Sequence, residues 1–159
     1  MFSFEYSIIG DDDMGRRLRA MGVEAGHLIE EALDDIALAM ESEARQEAPF
    51  QTGNLRRNIS RSKAEMTRPG HHEAKVGVMR TAPYAIWVHE GTGIFGSHRR
   101  PIRPRMGNIM AFDILGHTVF TRSVKGQRAN PFFRRAFNTV ANSYAPARLE
   151  RLKHELGNL

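Results

Sequence analysis

The stretch MGRRLRAMGVEAGHLIEEALDDIALAMESEARQEA, residues 14–48, organises the rest of the chain. Its apolar residues recur at intervals of three and four, the spacing of one helix face. They are Leu18, Met21, Ala25, Leu28, Ile29, Ala32, Leu33, Ile36 and Met40. Gly22 weakens the pattern locally and Pro49 ends it. A helix of this length spans roughly 50 Å at 1.5 Å per residue, so we expect it to contact a partner outside its own domain.

The segment before this helix is short and alternating. Phe2, Phe4, Tyr6 and Ile8 alternate with polar residues, which predicts a strand over residues 1–10. Asp11–Asp13 follow as N-cap candidates. The segment has no basic start, so it does not match a signal peptide, and no apolar run approaches a membrane span.

The remainder predicts a β-rich core over residues 49–128, followed by C-terminal helices over residues 129–156. Two hairpins are expected, residues 62–79 around Pro69-Gly70 and residues 109–124 around Gly116-His117. Residues 91–107 contain four glycines and two prolines, typical of an exposed, mobile basic loop. The expected fold is α+β, with the long N-terminal helix and a C-terminal helix packed on a small, mostly antiparallel sheet of hairpins.

The segment between the first hairpin and that loop is apolar, residues 82–89. It predicts a short helix or strand that packs inward through Tyr84, Ile86, Trp87 and Val88. Pro131 fits the first turn of the first C-terminal helix, and Pro146 is expected to break or restart it.

The composition limits the function classes. The 159 residues suit one domain, residues 1–159, and 41% apolar with 26% charged residues is ordinary for a folded chain. There is no cysteine, which excludes disulfides, thiolate metal sites and cysteine nucleophiles.

The net charge of +5 is unevenly distributed. Residues 1–48 hold 12 acidic residues against four arginines, a net of −8, and the other 19 basic and six acidic residues give +13.

HEGTGIFG, residues 89–96, superficially matches two catalytic motifs. A zinc-protease helix needs a second histidine four residues after His89, and that residue is Gly93. A dinucleotide-binding loop needs a helix after Gly96, but SHRRPIRPRMG contains two prolines and no apolar stripe. Neither motif is satisfied.

Other chemistry is equally unsupported by the sequence. The seven histidines have no ligand-like spacing within a rigid element, and no nucleophile elbow is present. We therefore expect no enzyme activity, no catalytic residues, no metal and no cofactor.

The basic residues after residue 48 form three groups. The first is Arg56, Arg57 and Arg61; the second is Arg99, Arg100, Arg103 and Arg105; the third is Arg122, Lys125 and Arg128. Cationic side chains suffice for phosphate contacts, but no sequence-reading nucleic-acid module accompanies them. The groups are therefore candidates for loose electrostatic contact with DNA or with an acidic protein face.

Three separated stretches resemble one protein family. They are APFQTGNLRRNI (residues 48–59), APYAIWVHEGTG (82–93) and ANPFFRRAF (129–137). In this order, after a long helix, they resemble the minor tail-component proteins of long-tailed bacteriophages, also called neck or tail-completion proteins. His89 stands where an acid is common in that family, and Asn58 stands where serine is usual.

The resemblance implies a non-enzymatic virion protein at the head–tail junction, assembled in the bacterial host cytoplasm. It implies a ring, commonly six-fold, that contacts head-connector proteins and tail-terminator or tail-tube proteins, with no membrane partner. The structural residues of the motifs are Pro49, Thr52, Gly53, Leu55, Tyr84, Trp87, Glu90, Gly91, Thr92, Pro131 and Phe132. The alternative is a small non-specific nucleic-acid-binding protein, favoured by a pI near 10.1.

Overall fold

A computed structural model describes residues 22–114 and 116–158. These residues form two compact units. The first unit comprises the described residues up to Pro83 and from Phe132 onward, and the second unit is Tyr84–Pro131. The predicted strand over residues 1–10 and the first part of the predicted helix, residues 14–21, lie outside the described residues. The assignment of a single domain stays a prediction.

The first unit is organised around helix α1, Val23–Glu47. The predicted stripe is the buried one, since Ala25, Ala32, Leu33, Ile36 and Met40 all lie in the core. Ala48 then turns to an extended conformation, as expected for a residue before proline. The amphipathic pattern therefore located this helix correctly over its described length.

Two C-terminal helices pack against α1. They are α4, Phe132–Asn142, and α5, Tyr144–Leu156. Pro146 lies in the first turn of α5, where no intrahelical N–H is needed, so the chain restarts its helix there as predicted. Phe132 and Phe133 are fully buried with their rings edge to face, centroids 6.0 Å apart. These helices thus supply a large share of the core.

The first predicted hairpin forms two short antiparallel ladders. The outer ladder pairs β1, Ile59–Arg61, with β4, Val76–Val78, and the inner pairs β2, Glu65–Arg68, with β3, His71–Glu73. The turn falls at residues 69–70, as predicted. Before β1, a short helix α2, Asn54–Arg57, follows Gly53, whose φ of 73° suits glycine. Thr52 Oγ1 accepts a hydrogen bond from the Asn54 N–H at 3.4 Å.

A buried arginine connects α5 to α1. Arg148 is only 6% exposed and donates hydrogen bonds to Asp35 (2.7 Å) and Glu155 (3.1 Å). Burial lowers the pKa of Arg148, but the two carboxylates outweigh it and raise that pKa. Burial likewise raises the pKa of Glu155, yet Arg148 and Arg151 hold it below its ordinary range. Both shifts favour the charged forms of Arg148 and Glu155, and the ion pair of Arg148 with Asp35 links α5 to α1.

The second unit contains helix α3, Ala85–Glu90, a 3-10 turn, Gly93–Phe95, and a second hairpin. The hairpin pairs β5, Met110–Ile114, with β6, His117–Thr121, in antiparallel register. His117 was predicted to lie in the turn, but it pairs with Ile114 and therefore belongs to β6. The mixture of helices and small antiparallel hairpins confirms the α+β prediction.

One side-chain prediction was wrong. Trp87 was expected to pack inward, but it is 59% exposed, and the buried residues of α3 are Ala85 and His89. Successive residues of a helix turn by about 100°, so Ile86, Trp87 and Val88 cannot all face the core.

Candidate functional site

The glycines of HEGTGIFG permit a close approach between two backbone segments. The N–H of Thr92 donates to the Gln127 carbonyl oxygen at 2.8 Å, and the N–H of Ile94 donates to that of Lys125 at 2.8 Å. The Gln127 N–H donates in return to Thr92 Oγ1 at 2.9 Å. Residues 92–94 and 125–127 are therefore hydrogen-bonded side by side, which accounts for the motif without any ligand.

Three glycines in this contact leave no room for a side chain. A β-carbon added at Gly91 would lie 2.8 Å from the Ala129 nitrogen. One added at Gly93 would overlap the Lys125 carbonyl oxygen, and one added at Gly126 would overlap that of Thr92. All three also have positive φ, a conformation that costs other residues about 1–2 kcal/mol. We call this contact the glycine clasp, residues 91–94 with 125–129.

The segment predicted to be a mobile loop, residues 91–107, makes backbone contacts with a distant part of the chain. Its first part is held by the clasp, and Ile102 further along forms a two-way backbone bridge with Val124, at 2.9 and 3.0 Å. The 91–107 segment is thus tied to the chain at three places, although its arginines are exposed as predicted. No local pattern in the sequence predicts these contacts, because they join segments that are far apart along the chain.

The same contacts bring together the chain segments that carry two of the basic groups. Arg99, Arg100, Arg103 and Arg105 lie on one side of the Ile102–Val124 bridge, and Arg122, Lys125 and Arg128 lie along the other segment. All seven side chains are exposed. Arg128 also stacks on the Phe95 ring, 5.4 Å from its centroid. We call these seven residues the basic surface of the second unit.

The charges of the basic surface have no carboxylate partner among residues 22–114 and 116–158. Within the described parts of the chain, none of the seven forms an ion pair with a carboxylate. The second unit holds seven Arg and Lys residues against Glu90 and Asp113, a net of +5. Uncompensated, solvent-exposed cations on one surface attract an external anion.

The first unit shows the opposite arrangement. Its described residues hold 13 Arg and Lys against 12 acidic residues, and most acids of α1 have a partner in the same unit. The pairs are Asp34 with Arg61, Asp35 with Arg148, Glu41 with Arg45 and Arg61, Glu47 with Arg135, and Glu30 with His72. Folding therefore brings arginines of the same unit to half of the acidic residues of α1.

The remaining basic group, Arg56, Arg57 and Arg61, lies in this first unit and is largely structural. Arg56 donates to the Ala48 carbonyl oxygen at 2.9 Å and lies over the Phe50 ring. Arg61 pairs with Asp34 at 3.0 Å. The three basic groups look equivalent in the sequence, but this group belongs to the first unit and the other two belong to the second.

The structural motif residues divide between the two units. Pro49, Thr52, Gly53, Leu55 and Phe132 belong to the first, where Leu55 and Phe132 are buried. Tyr84, Trp87, Glu90, Gly91, Thr92 and Pro131 belong to the second, where Gly91 and Thr92 form the clasp. Sequence reasoning missed Gly126 and Gln127, which stand between Lys125 and Arg128 and have only the glycine as a local signal. Their roles as motif residues stay predictions.

Within residues 22–114 and 116–158, no group of three His, Asp or Glu side chains is positioned to hold a metal ion. No helix in that same part of the chain is long and apolar enough to cross a membrane.

Comparison with known families identifies the class as a bacteriophage tail component. Residues 12–91 match the sequence model of a family described as "Bacteriophage HK97-gp10, putative tail-component". The match covers half of the chain, and the chain belongs to this HK97-gp10-like family. No curated protein and no solved structure matches significantly. Family membership supports a structural, non-enzymatic role in the phage tail or neck and a place in the virion.

Proposed function

We propose that this protein is a structural component of the phage head–tail junction, a neck or tail-completion protein. It assembles as a ring, commonly six-fold, that joins tail to head and lets DNA pass. Its neighbours are head-connector proteins on one side and tail-terminator or tail-tube proteins on the other. Family membership supports the tail assignment, and the unpaired basic surface is the observation that carries the DNA-passage role.

The basic surface favours an anionic polymer over the acidic face of a neighbouring copy. Four acidic residues of α1 are already paired with arginines of their own unit, which lowers the acidic charge that this helix can offer to a basic neighbour. Double-stranded DNA carries one phosphate charge per about 1.7 Å and needs no specific reader. Passing DNA is therefore the anion that this surface suits.

Ring assembly is tested by light scattering of the purified protein after nuclease treatment. Six chains of 18.0 kDa give about 108 kDa, and we expect a ring-sized species that persists at moderate salt. If the free protein is a monomer, the same measurement with the neighbouring tail protein added is expected to give the ring. A monomer that gains mass only with DNA, and loses it as salt rises, would favour the alternative of a small nucleic-acid-binding protein.

The DNA contact is tested by neutralising part of the basic surface. We expect R103Q/R105Q/R122Q to weaken duplex DNA binding regardless of sequence, measured by fluorescence anisotropy across a salt series. Each lost phosphate contact reduces the slope of log affinity against log salt by about 0.9, so three give a decrease of about 2–3.

The matched control is K63Q/R68Q/R134Q, which removes the same charge from exposed residues of the first unit. This control is expected to change the salt slope much less. Equal effects of the two triple variants would show that net charge, and not the basic surface, determines binding.

A further inference from the structure

The β5–β6 hairpin is a sheet of only two strands. No described residue adds a third strand to either side of it. The loop between the paired Ile114 and His117 is two residues long, and such a closing pair is hydrogen-bonded. Hydrogen-bonded and non-hydrogen-bonded pairs alternate along an antiparallel ladder. The N–H and C=O groups of Ala111 and Asp113 therefore point outward from β5, and those of Thr118 and Phe120 point outward from β6. Both edges can therefore accept another strand.

These edges lack the features that normally prevent strand addition. Natural edge strands carry lysine or other charges, proline or bulges. The β2–β3 hairpin of the same chain has all three: Glu65 and Arg68 in β2, Pro69 in the turn, and a register shift between Met66 and Arg68. Residues 110–121 contain no proline, lysine or arginine, and their register is continuous. Asp113 is their only acid.

The hairpin also exposes large apolar side chains. Phe120 is 70% exposed and Ile114 is 49% exposed, and Ile109 just before β5 is 57% exposed. An isolated two-stranded hairpin is marginally stable in water, so burial of these side chains would stabilise it substantially. Apolar contacts and free backbone groups together indicate a protein partner and not DNA.

We propose that this partner is a second copy of the chain, whose β5 edge pairs with the β6 edge of its neighbour. The two edges are different surfaces, so each copy can receive one neighbour and donate to the next, the head-to-tail arrangement that generates rings. The added pair is antiparallel, because β5 and β6 already alternate in direction. Residues 110–121 carry almost no charge, so pairing two copies along these edges does not place like charges opposite each other. Closure of the ring leaves no free edge.

This inference rests on the proposed ring, and a proline substitution tests it. A111P removes an outward N–H and places a ring carbon at the β5 edge, whereas A111V keeps the N–H. At concentrations where wild-type protein and A111V are assembled, A111P is expected to need about tenfold more protein, or greater, for half assembly. Hydrogen exchange in residues 110–121 of monomeric A111P checks that the hairpin itself still forms.

Engineered cysteines give a second measurement, because the natural chain has none. A111C and T118C are prepared as separate variants, mixed, and treated with a short bis-maleimide. Preferential cross-links between the two different variants, over links within either alone, are expected. If assemblies form but these mixed links are absent, strand addition is wrong while the ring stands. Mixed links in open-ended polymers would support strand addition and count against a closed ring. Absence of mixed links at any concentration overturns the inference.

Discussion

Gly93→Ala is expected to disrupt the glycine clasp and destabilise the second unit by at least about 3 kcal/mol. The added methyl group would overlap the Lys125 carbonyl oxygen, and this neighbour is backbone that cannot rotate away. The variant also forces a non-glycine residue to a φ of 63°. The two costs add, because separating the segments also breaks the hydrogen bonds of Thr92 and Ile94.

Gly107→Ala is the matched control for Gly93→Ala. Gly107 has a φ of 76°, but no atom lies within 4 Å of its added β-carbon. It carries only the conformational cost, about 1–2 kcal/mol. Amide hydrogen exchange at residues 92–94 and 125–127 is expected to accelerate strongly in Gly93→Ala and little in Gly107→Ala. Similar exchange in both variants would mean that the clasp is not formed in solution.

Phe132→Ala is expected to destabilise the first unit by about 3–5 kcal/mol, the usual cost of truncating a fully buried phenylalanine. Phe132 has 0% exposure and begins α4, and its ring meets that of Phe133 edge to face. The cavity would lie in the core that α1 forms with the C-terminal helices. For a chain of this size, the melting temperature should fall by about 10 °C or more.

Phe50→Ala provides the comparison for Phe132→Ala within the same unit. Phe50 is 69% exposed, and its loss removes mainly the contact with Arg56, worth about 0.5–1 kcal/mol. Both variants are compared by thermal unfolding followed by circular dichroism. A melting temperature for Phe132→Ala within 3 °C of that for Phe50→Ala would contradict the buried position of Phe132.

Local patterns predicted the elements that local physics controls. The three-and-four spacing of Ala25, Ala32 and Ile36 placed α1, since a helix must bury one continuous stripe. The turn at residues 69–70 and the helix restart near Pro146 also followed from backbone preferences of glycine and proline. The same reasoning failed for Trp87, because an apolar side chain in a short helix is buried only if its face meets other chain segments.

The candidate site was predictable in its residues and not in its arrangement. The sequence identified the arginines after Gly96 and those after Thr121, but nothing local paired one group with the other. The two segments that carry these arginines are held together by the Ile102–Val124 bridge and by glycines that let Thr92 approach Gln127. Such contacts join residues more than twenty positions apart, and periodicity within one segment carries no information about them.

The sequence by itself determined the long helix, the C-terminal helices, the two hairpins, the absence of cysteine chemistry and the total charge of +5. It also carried the three motifs that resemble phage tail components, a family that the match over residues 12–91 confirms. Only the tertiary structure decided which of the basic side chains pair with carboxylates. Folding brings Arg61, Arg135 and Arg148 to the acids of α1 and leaves the second unit with +5, because ion pairs depend on distance in space and not in sequence.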